Sequence, residues 1–516
     1  MRLLRKGQRG LVNVVFSRVG IMTAMILVQV GIFIAGLIWF NNFLPHIYGI
    51  STFVGVVMVM YLLNSDHNPT TKITWLVLII ALPIFGIALY VYTESDIGHR
   101  ALRDRLIKII SRTEAIIPQD REVVERLYKK SYGSASLANY LHRSSGFPAY
   151  DDTEVTYFPS GEEKFKELLK QLEEAEHFIF MEYFIIDEGL MWGKVLEILA
   201  RKAREGVDVR VMDDGTCEYT TLSHDYPKRL GRLGIKCKVF APVTPFVSTH
   251  YNYRDHRKIL VIDGHTAFTG GINLADEYIN EVDRFGHWKD TAIMLKGSAV
   301  KTFTLMFLQN WSMEADSPEF EKFLAYNPLP SDEAEGFVIP YGDCPLDKDK
   351  TGERVYMDIL NRSLKYVHIM SPYLILDGEM EAALKFAAER GVDIKIIIPA
   401  KPDKPIPYAI AKTHYKTLLE SGVKIYEYTP GFIHAKVVVS DDIEGVVGTI
   451  NFDYRSFYHH FECAAYMYAT DCIDDMEIDF QETLSKCRKV TPETMKKEKK
   501  YLKLLGFIMK GFAPLM

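Results

Sequence analysis

His256-Arg257-Lys258-Ile259-Leu260-Val261-Ile262-Asp263 and His434-Ala435-Lys436-Val437-Val438-Val439-Ser440-Asp441 share one pattern, H-x-K-x-x-x-x-D. The repetition outlasts the motif. Glycine follows each histidine by 14 residues (Gly270, Gly448) and asparagine by 17 (Asn273, Asn451), so every pair keeps the 178-residue offset of the histidines. A short pattern arises once by accident in a long chain. A second copy with the same outlying glycine and asparagine points to internal duplication, each copy supplying half of one site.

Upstream of each motif the same order of elements recurs. His177 to Ile185 reads as a strand, Lys194 to Arg204 as a helix, and Gly206-Val207-Asp208-Val209-Arg210-Val211 as a helix stop followed by a strand. Tyr366 to Ile375, Met380 to Arg390 and Gly391-Val392-Asp393-Ile394-Lys395-Ile396 repeat that order, and Leu233-Gly234-Ile235-Lys236 has its counterpart in Ser421-Gly422-Val423-Lys424. Alternating strands and helices predict an α/β fold of two pseudo-symmetric lobes, each a mixed sheet flanked by helices. The lobes are placed at 146–312 and 351–490, with an inter-lobe linker rich in Glu, Asp, Pro and Ser at 313–350.

The first 97 residues read as a membrane anchor with two to three transmembrane helices. Gly20 to Phe40 is long enough for a bilayer core, follows Arg2, Arg5, Lys6, Arg9 and Arg18, and lacks a signal-peptide cleavage pattern. A second apolar run, Ile47 to Leu63, and a third, Ile73 to Tyr92, form a helical hairpin around Asn64-Ser65-Asp66-His67-Asn68-Pro69, with Pro83 tolerated inside the third. Trp39, Tyr61, Trp75 and Tyr92 lie near the run ends, at headgroup level. Three full spans would export the catalytic part, yet Arg100, Arg103, Arg105, Lys108 and Arg112 favour a cytoplasmic face, so one run, the second by preference, is expected to lie in the interface or re-enter. Residues 98–145 read as an amphipathic connector, a charged helix followed by loops. Residues 491–516 form a basic amphipathic segment that suits either an anionic lipid surface or ordinary docking.

The 516 residues suffice for about three domains. A net charge of -6 and the absence of a basic, aromatic-interleaved stretch along the lobes argue against nucleic acid as a partner. The six cysteines form no C-x-x-C pair, which excludes a zinc ribbon and suggests buried thiols.

Residues two apart on a strand share a face, so His256 points with Lys258 and His434 with Lys436. Two histidines, two lysines and two asparagines around one cavity fit a tetrahedral phosphate. Lys258, Lys436, Asn273 and Asn451 would donate to its non-bridging oxygens, with no metal required. One histidine attacks phosphorus and the other protonates the departing alkoxide, then deprotonates the acceptor. Asp290 and Glu462 are suited to hold the other ring nitrogens, and lie 34 and 28 residues after His256 and His434 respectively. Asp263 and Asp441 complete the motif; ending apolar strands, they suit turn capping better than chemistry. A zinc site from His256, His434 and Glu462 is disfavoured because the lysines would repel the ion, and His265, His287, His459 and His460 read as surface or supporting residues.

The chain resembles the phospholipase D superfamily, whose paired H-x-K-x-x-x-x-D motifs are each followed by G-[GST]-x-N, here Gly270-Gly271-Ile272-Asn273 and Gly448-Thr449-Ile450-Asn451. More narrowly it is similar to bacterial cardiolipin synthases of the phospholipase D type, through Asn68-Pro69, Pro83 and Gly86, Met181-Glu182-Tyr183-Phe184, Glu277-Tyr278, Trp288-Lys289-Asp290-Thr291 and Phe512-Ala513-Pro514-Leu515. It departs from them in the extra apolar run before the hairpin. The resemblance implies a phosphatidyltransferase of the cell membrane that joins two phosphatidylglycerol molecules into cardiolipin and glycerol, without cofactor, through a phosphohistidine. His256 is then the nucleophile and His434 the acid and base, with the exchanged assignment open. Anionic lipids are expected partners; oligomeric state and acyl-chain preference stay open. A membrane-bound phospholipase D hydrolase, a transferase using another alcohol, and a catalytically inert scaffold are the competing readings.

Overall fold

The computed structural model describes residue 31 and residues 44–94, 100–113, 116–242, 253–314, 319–326, 334–346 and 349–515. The chain divides into two compact units, one of the residues up to Arg100 and one running from Ala101.

In the first unit, the run Gly20 to Phe40 lies outside the described residues apart from Gly31. Leu44–Leu63 is one helix, but the third apolar run is not: it breaks into Pro69–Ala81 and Pro83–Glu94. Proline at 83 removes an N–H and its ring opposes the carbonyl one turn earlier. Leu82 leaves the helix at φ -138, ψ 71. The two pieces fold back on each other, bringing the Trp75 and Tyr90 rings to 5.2 Å in an edge-on contact. A Cβ on Gly86 would stand 2.8 Å from the Leu78 carbonyl, so the close approach needs glycine there. At ~1.5 Å per residue neither piece exceeds about 20 Å, short of a ~30 Å hydrocarbon core. Among the described residues no helix is long and apolar enough to cross a membrane, so the expected two to three spans are not met there. The break falls in the third run, Ile73 to Tyr92, and not in the second, the one expected to lie in the interface or re-enter.

The first lobe contributes strands β1 (Glu154–Phe158), β2 (Phe178–Tyr183), β3 (Asp208–Asp214), β4 (Lys236–Phe240), β5 (Arg254–Asp255), β6 (Lys258–Ile262), β7 (Thr266–Gly270), β8 (His287–Lys289) and β9 (Ala292–Lys296). The second contributes β10 (Phe337–Asp343), β11 (Tyr366–Met370), β12 (Asp393–Pro399), β13 (Lys424–Tyr428), β14 (Gly431–Ile433), β15 (Val437–Ser440), β16 (Glu444–Gly448), β17 (His460–Tyr468) and β18 (Cys487–Lys489). One sheet runs β1-β9-β7-β6-β2-β3-β4 and the other β10-β17-β16-β15-β11-β12-β13-β18. Strand for strand the orders correspond, with β18 added, so the duplication read from the motifs extends to the whole topology.

In each sheet three strands are parallel (β2-β3-β4, β11-β12-β13) and the motif strand joins them antiparallel. The parallel strands are connected through helices, among them Leu190–Arg204 and Gly378–Glu389, which lie where the periodicity places them. Such strands are covered on both faces. Phe180 packs in a cluster shared with Val261 and Ile293 of its own sheet and with Met370, Val437 and Ala465 of the other, while Ile179 and Met181 pack in a cluster on the opposite face. The shared cluster fixes the two lobes face to face.

Two boundaries differ from expectation. Residues 98–145 are not one helix and loops but three helices, Arg100–Thr113, Arg121–Lys130 and Tyr132–Ser145. Their apolar faces are absorbed by the lobes: Leu106 and Ile109 join the shared cluster, while Leu127 and Leu141 join the second lobe's outer core. The inter-lobe segment is also shorter than 313–350, because β10 is paired along its length with β17 as the edge strand of the second sheet. Of the cysteines, Cys217, Cys344, Cys463 and Cys472 are buried thiols, while Cys237 and Cys487 are half-buried.

Candidate active site

Two very short strand pairs build the site. β5 lies parallel to the start of β17, with Arg254 opposite His460 and Asp255 opposite Phe461. One residue further, His256 stands against Glu462. On the other side β14 lies parallel to β8, with Phe432 opposite Trp288 and Ile433 opposite Lys289. His434 therefore stands against Asp290. The backbone continues the pattern, His256 N–H donating to Phe461 O at 2.9 Å and His434 N–H to Lys289 O at 2.7 Å.

The side chains follow. His256 Nδ1 is 3.0 Å from both carboxylate oxygens of Glu462, and His434 Nδ1 is 2.7 Å from Asp290 Oδ2. This corrects the expected pairing: each carboxylate serves the histidine of the opposite lobe. Spacing along the chain pointed to the same-lobe partner, whereas the register of β5 and β14 crosses the interface. A carboxylate only accepts, so Nδ1 carries the proton in each ring and Nε2 carries the lone pair.

The residue after the motif glycine serves these carboxylates. Thr449 Oγ1 donates to Glu462 Oε2, and Ser456 Oγ donates to Oε1 at 2.7 Å. Its counterpart Gly271 is bare because a Cβ there would overlap Asp290 Oδ1. Glu462 and Asp290 are fully buried. Burial alone would raise the Asp290 pKa, but His434 and Lys436 hold it below the usual carboxylate range.

Lys258 and Lys436 are 1 % exposed, and each ammonium turns back to the carbonyl of its own histidine, Lys258 Nζ at 2.5 Å from His256 O. Burial brings Lys258 down to about 8 and Lys436 to about 7. Burial, then the charge of Lys436, lowers His434 to about 4, with Asp290 acting in opposition. His256 is pushed well below its ordinary value by burial and by Lys258, Lys436 and His434. Both imidazoles are neutral near pH 7, and each feels the other lobe's cation, as one shared site requires.

The asparagines differ. Asn273 braces the first lobe, its Oδ1 accepting from Ile185 N–H at 3.0 Å and its Nδ2 donating to Tyr278 Oη at 2.7 Å. Asn451 is buried, and its Oδ1 meets no donor among the described residues.

Asp263 and Asp441 face backbone donors of a neighbouring strand start. Asp263 accepts from Glu176, His177 and Phe178 N–H at 2.7, 2.8 and 2.7 Å, and Asp441 accepts from Leu364, Lys365 and Tyr366 N–H at 2.6, 2.8 and 2.8 Å. Each sits at positive φ in the turn after its motif strand and pins the start of the neighbouring parallel strand. It lies five positions beyond the lysine, roughly 16 Å along the strand. Asp263→Ala is expected to cost roughly 3 kcal/mol of stability, because three backbone donors lose their acceptor. Denaturant unfolding should show that loss while activity per folded molecule is largely retained.

Aromatic rings complete the walls. Phe184 packs 4.9 Å from the His256 ring, and Tyr278 and Trp288 lie 5.5 and 5.4 Å from that of His434. Phe184, Tyr278 and Trp288 were readable in the sequence only as members of apolar or family-like stretches. His265 and His287 are exposed, as expected, whereas His460 is buried with its ring 5.4 Å from His256. His256, His460 and Glu462 are close enough to ligate one cation, but the lysine charges that depress His256 also oppose a metal ion there. Chemically the arrangement offers a carboxylate-held nucleophile, a second carboxylate-held imidazole for proton transfer, and cations for a phosphoryl oxygen.

Comparison with known proteins agrees with this geometry. A family described as "Cardiolipin synthase, PLD-like domain" matches residues 168–298 and 356–484, and one described as "Phospholipase_D-nuclease N-terminal" matches 53–92. The chain is 30% identical over 505 residues to a cardiolipin synthase of Halalkalibacterium halodurans, covering 97% of this chain and 100% of that protein. It is 57% identical over 458 residues to an uncharacterised protein of Streptococcus mutans, covering 89% and 99% respectively. Among solved structures, phosphatidylserine synthase of Haemophilus influenzae superposes with a TM-score of 0.56 at 14% identity, over 72% of this chain and 94% of that one, a likeness of fold.

Proposed function

The chain belongs to the phospholipase D-like cardiolipin synthase family and is a phosphatidyltransferase; from that premise we propose that it makes cardiolipin from two molecules of phosphatidylglycerol. His256 attacks the phosphodiester phosphorus through Nε2 while His434 protonates the departing glycerol oxygen. The phosphatidyl group then rests on His256 as a phosphohistidine. His434, now neutral, takes the proton of a second phosphatidylglycerol's hydroxyl, which attacks phosphorus and releases His256. Each transfer exchanges one phosphodiester or phosphoramidate bond for another, so no external energy source is needed.

The observation that carries this reading is the pair of histidines, each held at Nδ1 by a buried carboxylate of the opposite lobe. The anionic substrate adds to it. Burial first and lysine charge second lower both rings in the empty site, and a bound phosphodiester offsets the lysine charge, raising His434 toward the protonated form an acid needs. Incubating detergent-purified protein with phosphatidylglycerol vesicles and analysing lipids by mass spectrometry tests the reading. Cardiolipin with equimolar glycerol supports it, phosphatidic acid without cardiolipin replaces it with a hydrolase, and an ester of another added alcohol replaces it with a different transferase.

The lysines predict the pH profile. A lysine lowered to about 7 or 8 is charged below that pH and neutral above it. In kcat/KM, which reports the free enzyme, activity should therefore fall as pH rises through 7 to 8. The limb should move upward in kcat, because bound phosphate favours the charged lysines.

We infer that the reaction takes place at the membrane, on its cytoplasmic side. The support is the basic run Arg100, Arg103, Arg105, Lys108 and Arg112 directly after the apolar segments.

A further inference from the structure

A cavity of about 1120 Å³ lies between the helix Pro405–Glu420 and the C-terminal helix Lys500–Lys510, apart from the histidines. Its lining combines apolar side chains, including Leu419, Val423, Leu502 and Phe507, with seven lysines and only two carboxylates, Glu420 and Glu498. Several lysines are committed. Lys412 pairs with Glu427 and with Glu498 at 2.6 Å, and Lys424 lies 2.7 Å from Asp393. Lys489, Lys496 and Lys503 are exposed, and Lys496 lies near enough to Glu493 for its charge to favour that carboxylate.

The C-terminal helix is an unusual neighbour for such a groove. It packs tightly onto Pro405–Glu420, since a Cβ on Gly506 would overlap the Ala409 carbonyl, yet Gly506 is its one buried residue. Tyr501, Leu504, Phe507 and Ile508 remain 61%, 61%, 78% and 50% exposed. The helix is thus docked and amphipathic at once, with a large apolar face left uncovered beside a cationic rim.

We propose that this groove binds an anionic phospholipid, its acyl chain along Leu419, Leu502 and Phe507 and its phosphate among Lys489, Lys496 and Lys503. Charge selects the occupant. An apolar partner alone would leave the lysines unanswered, and a zwitterionic lipid brings no net charge to them, whereas a phosphodiester monoanion with hydrocarbon attached satisfies both parts of the lining. Lysine stems extend the apolar wall while their ammonium groups reach the headgroup. The site is independent of the proposed reaction and would hold the catalytic unit on membrane rich in acidic lipid.

The test uses the full-length protein in nonionic detergent with a phosphatidic acid carrying a photoreactive acyl chain, followed by peptide mapping. Label on residues 489–511, displaced by unlabelled phosphatidic acid but not by phosphatidylcholine, is expected. The triple variant Lys489→Glu, Lys496→Glu, Lys503→Glu should lose label at this segment at least ~10-fold, three lysines acting together. Its substituted side chains are all exposed, so an unchanged melting temperature and retained labelling of the active site serve as fold controls. Phe507→Ser, also exposed, should weaken labelling without changing charge. Equal displacement by phosphatidylcholine, indifference to charge reversal, or a protein–protein crosslink through Phe507 in place of lipid label would each overturn the proposal. Cardiolipin formation is scored separately in the same preparations, so failure of this site is distinguishable from failure of the catalytic reading.

Discussion

His256→Ala is expected to lose at least ~10⁴-fold in phosphatidyl transfer, because removing a covalent nucleophile leaves only binding and the electrostatic terms. The covalent intermediate makes the prediction specific. Rapid acid-free quenching of wild-type protein with donor radiolabelled in the phosphatidyl group should leave label on the chain, stable to alkali and lost in acid, as a phosphoramidate is. His434→Ala should also be nearly inactive with phosphatidylglycerol, for a different reason: the glycerol alkoxide cannot leave unprotonated. A phosphatidyl ester of p-nitrophenol needs no such proton. With that donor His434→Ala should regain the labelled intermediate and His256→Ala should not. Recovery in His256→Ala and not in His434→Ala would exchange the two roles.

The parts of this site differ in how far the sequence reveals them. Duplicated histidines, lysines and asparagines are visible because the repeat keeps its spacing, and the matching strand order of the two sheets follows from the same duplication. Long elements with strong patterning, such as Phe178–Tyr183 and Leu190–Arg204, fall where periodicity puts them. The crossing of Glu462 and Asp290 is invisible to that reasoning. It depends on β5, β8 and β14, strands of two or three residues whose partners lie across the lobe interface, and no local pattern encodes a non-local pairing. The third apolar run misleads in the opposite sense. Its composition is continuous, and only the single backbone event at Leu82-Pro83 divides it. Asp263 and Asp441 sit in the motif, yet each accepts from three consecutive backbone N–H groups where a neighbouring strand begins, a non-local contact that the motif spacing does not reveal.

The crossed pairing yields the sharpest expectation. Glu462→Gln presents an amide to His256 where Nδ1–H needs an acceptor. If the carboxamide turns its N–H₂ to the ring, Nδ1 gives up its proton and Nε2 gains one, so the nucleophilic lone pair is lost; if it turns its oxygen, the imidazolium formed on attack loses its counter-charge. Either way transfer should drop by up to ~10⁴-fold, the loss that follows when the carboxylate orienting a catalytic histidine is neutralised. Thr449 and Ser456 also donate to Glu462, so Gln at this site takes the charged acceptor from both and turns an N–H₂ toward one of them, and unfolding must be measured beside activity. Asp290→Asn should produce a loss of similar size through His434. The activated donor separates them. Glu462→Gln should behave like His256→Ala and stay unable to form the intermediate, while Asp290→Asn should behave like His434→Ala and recover it. Same-lobe pairing would give the reverse assignment, Asp290→Asn failing with the activated donor and Glu462→Gln recovering. A double variant adds an independent check: His256→Ala with Glu462→Gln should be little worse than His256→Ala alone, since the carboxylate acts only through the ring it holds.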